Sequence, residues 1–156
     1  MPAGSEPKGG LPALPRTWRP LGPRVMGVGV TVCLVAVVAA GWFTLDAETR
    51  SRFTTFQRGT LVFFGLIYLA LMLGLLRSRA VAYADRLVVV NGYRRHEYGW
   101  PQIVAARLPP GAPWVTLDLA DGETASVLGI QGSDGARARR DLRELKALVA
   151  AASPQR

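Results

Sequence analysis

The sequence predicts an α+β protein in which a two-helix transmembrane hairpin precedes a small antiparallel β-sheet or half-barrel domain, capped by a C-terminal α-helix. Three observations carry this prediction. Two long windows contain no charged residue, short apolar runs broken by turn signals begin near Ala80, and a basic amphipathic stretch lies near the end of the chain. A soluble domain interleaves charged with apolar residues, so the two windows exclude a plain soluble protein.

The charge-free windows cover residues 25–45 and 59–76. As helices they would be about 31 Å and about 27 Å long, close to the thickness of a bilayer's hydrocarbon core. Arg58 and Arg77 bracket the second window, and Trp42 near the end of the first window suits the headgroup level. Both windows are therefore predicted to be membrane spans.

Two alternatives compete with this interpretation. The windows could be buried core helices, but the rest of the chain is too small to enclose two helices that are apolar on every side. The first window could be a cleaved signal peptide, but a long proline-rich segment precedes it and bulky aromatic residues follow the small residues at 39–41. Within the spans, the four-residue spacings Ala36/Ala40 and Ala70/Gly74 either pack the hairpin or arise by chance.

The distribution of charge predicts the topology. The formal net charge is +8, and basic residues concentrate outside the windows, with four before residue 25 and five soon after residue 76. The intervening residues 46–58 have three basic and two acidic side chains. The positive-inside rule therefore predicts a protein of the plasma membrane with two spans, both termini in the cytoplasm and 46–58 as a short outside loop.

Residues 1–24 contain six prolines and four glycines. Such a composition neither sustains a helix nor buries a core, so this segment is predicted to be a disordered cytoplasmic tail. Its arginines either set the topology or also attract anionic lipids.

Beyond the second window, turn signals divide the chain into short strands. Asn91-Gly92 is predicted to form a type I′ hairpin turn, with positive φ at both residues, and Asp121-Gly122 a second hairpin. An amphipathic helix is predicted from about Ala136 to Ala152, with Asp134 as its cap. The predicted strands are 80–84, 87–90, 93–98, 103–108, 114–119 and 123–128.

This arrangement resembles the pleckstrin-homology (PH) fold, and the local signatures resemble the small bacterial version in actinobacterial membrane proteins, the family named after low-molecular-weight protein antigen six. The similar stretches are VVVNGYRRHEYGWPQIVAARL, PWVTLDLADGETASVLGIQ and ARARRDLRELKALVA, in which Trp100 and Ile103 open a strand. The resemblance implies a cytoplasmic PH-like domain at 77–156. PH domains that bind phosphoinositides use clustered basic residues in the first hairpin, where this sequence has Arg86 alone.

Few residues offer chemistry. Cys33 is the only cysteine and lies in the first window, and His96 is the only histidine, on a polar strand where we expect it to be exposed. We therefore predict no enzymatic activity, cofactor or metal site. The glycines at 129, 132 and 135 form either a flexible connection or, less in keeping with the sequence, a phosphate-binding turn.

The sequence leaves two main functional hypotheses, with a small membrane enzyme as a third that the lone His and Cys disfavour. The first is an interaction or scaffolding module at the inner membrane face, with the bilayer and a membrane or membrane-proximal protein as partners, and no nucleic acid. The alternative is a sensor of anionic lipid headgroups. Its candidate contacts are Arg94, Arg95, Arg139, Arg143 and Lys146, which otherwise form an ordinary solvated surface with an Arg140–Glu144 ion pair.

Overall fold

The computed structural model describes residues 11–152, and the expectations for 1–10 and 153–156 lie outside this range. Two long apolar helices are followed by two antiparallel sheets and a C-terminal helix, as predicted. The helices are α1 (Gly22–Thr44), α2 (Ala47–Arg52), α3 (Thr55–Arg77) and α4 (Ala136–Ala152). The strands are β1 (Arg16–Trp18), β2 (Arg79–Ala82), β3 (Arg86–Asn91), β4 (Arg94–Gly99), β5 (Ile103–Arg107), β6 (Trp114–Leu119) and β7 (Thr124–Gln131).

Helices α1 and α3 are both long and apolar enough to cross a membrane. Most of their large apolar side chains are exposed, and the two helices touch near the end that faces the sheets. There Thr31 Oγ1 and Tyr68 OH are 2.9 Å apart, and Gly27 lies against the side chain of Met72. The small-residue packing considered above is not formed, because the surface at Ala36 is exposed instead of facing α3.

Residues 46–58, expected to be a loop, contain helix α2. Asp46 begins this helix by accepting a hydrogen bond from Thr49 N–H at 3.1 Å. Thr54 and Gln57 form a reciprocal capping box at the start of α3. The chain between α1 and α3 thus forms the short helix α2, and both α2 and α3 begin with a side-chain cap.

The seven strands found within residues 11–152 form a four-stranded sheet, in the order β1-β2-β3-β4, and a three-stranded sheet, in the order β5-β6-β7. All neighbouring strands are antiparallel. The two sheets approach closely at Gly129 of β7, where a Cβ would lie 2.5 Å from the Ala80 amide nitrogen of β2. This approach requires glycine and joins the sheets around one core.

Strand β1 shows that the prediction of a disordered tail is wrong for residues 16–18. These residues pair with β2, and the Trp18 ring is buried in the core. Trp18 Nε1–H donates to Glu144 of α4 at 3.1 Å, and Arg16 pairs with the same carboxylate at 2.9 Å. The Arg140–Glu144 pair that we expected is therefore replaced by a contact between α4 and the N-terminal strand.

Both predicted hairpins form, but the first turn differs from the prediction. Asn91 and Arg94 are paired, which makes Gly92 and Tyr93 the central residues. Gly92 has φ +64°, whereas Asn91 does not have positive φ. A type I′ turn centred on Asn91-Gly92 is therefore wrong, because Asn91 ends β3 and its side chain serves another purpose described below.

Helix α4 has the predicted bounds and closes the sheets through the predicted apolar stripe, with Ala138, Leu145 and Val149 buried. Asp141 is also buried, at 5% exposure, and its nearest cations are Arg140 at 3.7 Å and Arg137 at 3.9 Å. Burial raises the pKa of the Asp141 carboxyl above its ordinary value, while these arginines oppose the shift.

Candidate functional site

The sheets are attached to the long helices by two very short connections, Ser78 and residues 19–21. We call the region around these two connections the junction. Helix α3 ends at Arg77 and β2 begins at Arg79, so Ser78 is the whole connection. Ser78 is fully buried, and its Oγ accepts a hydrogen bond from Gly92 N–H at 3.0 Å. On the other side, only residues 19–21 separate β1 from α1. Two short connections leave little freedom for the sheets to rotate against the hairpin.

The tip of the β3–β4 hairpin packs onto α3 at the junction. Tyr93 OH donates to the Ala70 carbonyl oxygen at 2.5 Å, and the Tyr93 ring lies against Gly74. Ala70 is about 10 Å along the helix axis from the end of α3. The Arg77 guanidinium lies 5.7 Å from the centre of the Tyr93 ring, a cation–π contact. The small residues of α3 therefore accommodate a side chain of the sheet domain instead of α1.

Asp134 joins the other side of the junction. Its carboxylate accepts hydrogen bonds from the Leu21 and Gly22 N–H groups at 2.8 Å and 2.7 Å. We expected Asp134 to cap α4, but the structure places this carboxylate at the first turn of α1. There it accepts hydrogen bonds from N–H groups that have no partner within the helix, and its negative charge interacts favourably with the positive end of the helix dipole. The short 3-10 turn Gly132–Asp134 before α4 is thereby tied to the start of the hairpin.

Basic side chains surround the junction. Arg24, in the first turn of α1, donates to the carbonyl oxygen of Leu76 near the end of α3, which ties the two helices together. Arg94 lines a shallow apolar groove with Leu71 and Leu75 of α3. The arginines of this region are Arg19, Arg24, Arg77, Arg79 and Arg94.

The structure does not bring the five predicted contact residues into one patch. Arg94 lies at the junction, and Arg95 pairs with Glu97 at 2.6 Å. Both are on β4, at the edge of the four-stranded sheet opposite to β1, whereas α4 is bound to β1. On α4, Arg139 lies beside the loop Pro109–Pro113, Lys146 lies beside β5, and Arg143 is exposed.

A groove with a volume of about 810 Å³ lies between β4 and the β6–β7 turn. We call it the β4–β7 groove. His96 and Tyr98 form one wall as a stacked pair with ring centres 6.3 Å apart. Asp121 and Glu123 lie on the other wall. Burial, followed by the nearby charges of Glu123 and Asp121, raises the pKa of the Tyr98 hydroxyl.

Asn91 closes this groove at the end that adjoins the junction. Its Nδ2–H donates to the Ser126 carbonyl oxygen at 2.7 Å, and its Oδ1 accepts from Leu128 N–H at 3.1 Å. The side chain thus occupies hydrogen-bonding positions that a neighbouring strand would use along the edge of β7. Sequence reasoning assigned Asn91 to a turn and missed this bridge between the sheets.

The described residues offer little for catalysis. His96 is exposed, as predicted. Among residues 11–152, no three His, Cys, Asp or Glu side chains are close enough together to hold a metal ion.

Residues 77–148 match the family model described as a bacterial PH domain, which agrees with the PH-like fold that the resemblance indicates. Uncharacterised proteins of Mycobacterium bovis and of two strains of Mycobacterium tuberculosis are each 28% identical to this chain over 120 residues, which cover 77% of the chain and 78% of each relative. Only 80 residues follow Leu76, so at least 40 of the 120 aligned residues precede Arg77. The similarity thus extends beyond the PH domain. No solved structure matches the chain.

Proposed function

We propose that this protein is a non-enzymatic interaction module, a PH domain that two membrane spans hold in a fixed orientation at the inner face of the plasma membrane. The observation that carries the proposal is the junction. A domain that serves only as a tethered ligand trap needs no fixed orientation, whereas here Ser78, Tyr93 and Asp134 each bind the domain to the hairpin. A fixed orientation is useful for contacting proteins that lie in the same membrane.

The proposed topology rests on two arguments. The pairing of β1 with β2 requires residues before α1 and after α3 to lie on one side, as they do when both helices cross a bilayer. The arginines around the junction then favour the cytoplasmic side under the positive-inside rule. A reporter that fluoresces only in the cytoplasm, fused after Arg156, should be active. Activity of a reporter that works only outside the cytoplasm would overturn this topology.

The interaction role is tested by site-specific photo-crosslinking of the full chain in its native membrane. Photoreactive side chains at exposed positions of the PH domain should give discrete crosslinked products with the same partner protein from adjacent positions. The matched control places the same side chain at exposed positions of α2, on the other side of the membrane under the proposed topology. A PH domain that gives no crosslinked protein from any surface would refute the role.

A second candidate function is the binding of anionic lipid headgroups. The observation that favours it is the position of Arg77 and Arg94 beside α3, at a level that a bilayer interface would reach. We propose that any lipid contact uses these two arginines, because Arg95 is engaged by Glu97 and the basic residues of α4 lie elsewhere on the domain.

The lipid test uses the full chain, because a fragment that begins at Ala80 would lack β1 and the buried Trp18. Native mass spectrometry from mixed phosphatidylcholine and phosphatidylglycerol nanodiscs would measure which lipids stay bound. Retention of phosphatidylglycerol should fall in an Arg77→Gln/Arg94→Gln variant and persist in an Arg139→Gln/Arg143→Gln control. Equal retention by both variants would exclude a site at the junction.

A further inference from the structure

Strand β4 has one free edge. It pairs with β3, and no other strand within residues 11–152 pairs with it. Because Gly92-Tyr93 is a two-residue turn, Asn91 and Arg94 form a hydrogen-bonded pair, and alternation along the ladder directs the main-chain N–H and C=O groups of Arg95 and Glu97 away from β3. A free edge of this kind can accept another extended chain.

The β4–β7 groove runs along this edge. At the junction, the Asn91 side chain holds β3 and β7 together, and further along the two sheets separate. The six residues of β4 extend over about 20 Å. The groove therefore begins beside the hairpin helices and ends at Asp121 and Glu123, with a length that suits a segment of one strand.

The groove differs in charge from the rest of the chain. The protein has a net charge of +8, yet no Lys or Arg lines the groove and three acidic residues do. Glu97 is paired with Arg86 and Arg95. Asp121 and Glu123 form no ion pair with any described residue, and the Tyr98 side chain lines the groove beside them.

We infer that the β4–β7 groove binds an extended Lys- or Arg-containing segment of another membrane protein, which adds to β4 as a strand. This inference rests on the proposed interaction role and names the chemistry of the partner. Charge complementarity selects a basic segment. The groove begins at the junction, and the cytoplasmic flanks of membrane spans, which emerge at that level under the proposed topology, are enriched in Lys and Arg.

The first experiment tests charge. Fluorescence anisotropy of the full chain in detergent micelles would compare a labelled short peptide that alternates arginine with valine and one that alternates glutamate with valine. The arginine peptide should bind at least about 10-fold more tightly, and Asp121→Asn/Glu123→Gln should weaken it by about 5- to 10-fold. The charge-matched control, Asp46→Asn/Glu48→Gln at the start of α2, should change the affinity by less than about 2-fold. Equal affinity for both peptides, or equal effects of both variants, would overturn the inference.

The second experiment tests strand addition. Arg95→Pro removes one outward N–H donor at a position where an edge strand tolerates proline, whereas Arg95→Thr removes the charge and keeps the donor. Arginine-peptide affinity should fall about 10-fold in the proline variant and change little in the threonine variant, with tryptophan fluorescence confirming that both are folded. Equal affinities in two folded variants would overturn strand addition. If the proline variant is unfolded, N-methylation of alternate peptide amides supplies the same test, and unchanged binding refutes pairing.

A failure of this inference can be separated from a failure of the proposed function. If photoreactive side chains at Thr124 and Ser126 capture no partner while other surfaces of the PH domain do, the groove assignment is wrong and the interaction role stands. If the groove positions capture a protein through a basic segment next to its membrane span, both stand. Absence of capture from every surface overturns the role and the inference together.

Discussion

The carboxylate of Asp134 is predicted to stabilise the start of α1, and replacing it with alanine tests the junction directly. The substitution removes hydrogen bonds of 2.8 Å and 2.7 Å to the Leu21 and Gly22 N–H groups. Loss of a helix N-cap costs about 0.5–2 kcal/mol, and this cap makes two bonds with a charged acceptor, so we expect about 1–2 kcal/mol. Asp134→Asn is the matched control, because asparagine also caps well and should lose less.

Hydrogen exchange of the full chain in nanodiscs measures this effect at the residues concerned. A loss of 1–2 kcal/mol corresponds to exchange about 5- to 30-fold faster at Leu21 and Gly22 if the local opening is governed by this cap. Exchange of the amides in the first turn of α4 should change much less, because the Asp134 carboxylate accepts its hydrogen bonds from Leu21 and Gly22. Faster exchange at α4 with no change at Leu21 and Gly22 would refute our assignment and restore the cap expected from the sequence.

Three further predictions concern the sheet domain. Asn91→Ala should lower the free energy of unfolding by about 1–3 kcal/mol, since it leaves two main-chain groups of β7 without their partner, and denaturant titration in micelles would measure this. Gly129→Ala should cost about 2–3 kcal/mol, because its Cβ would lie 2.5 Å from the Ala80 nitrogen, whereas Gly65→Ala in α3 meets no atom within 4 Å and should leave the domain's thermal midpoint unchanged. Asp141→Asn should raise the thermal midpoint near neutral pH and lose this advantage in acid. Burial raises the pKa of the Asp141 carboxyl in the folded state, so the wild type gains stability as the pH falls through that raised pKa toward the unfolded-state pKa of about 3.9. Equal pH profiles of the two proteins would contradict the burial argument.

The two long apolar helices and most of the sheet could be predicted from sequence because their signals are local. A charge-free window of this length predicts a long apolar helix, and α1 and α3 are such helices. The spacing of apolar residues in α4 indicates which face of the helix is buried, and the helix has the predicted bounds. Asp121-Gly122 forms a hairpin because Gly122, with φ +88°, adopts a conformation that glycine takes at little cost.

The junction could not be predicted because its partners are distant in sequence. Asp134 stands before a helix, where the local pattern indicates a cap, but Leu21 and Gly22, more than 100 residues earlier, take both of its bonds. Asn91 is likewise a residue type that favours turns, yet its side-chain amide forms hydrogen bonds with the main chain of β7. In α3, Gly74 does not pack against the other helix, and the group that lies against it is the Tyr93 ring of the sheet domain.

Strand β1 was missed because composition describes a segment in isolation, and Arg16–Trp18 gains its structure from β2 and α4. The chain order has a consequence for folding. The strand lies before both long helices, and its partner lies after them, so the hairpin is an insertion within one sheet. Under the proposed topology, β1 can pair with β2 only when both ends of the helical hairpin lie on the same side of the membrane. Incorrect insertion would leave the core without Trp18, and correct insertion would complete it, which couples the stability of the PH domain to the topology of its anchor.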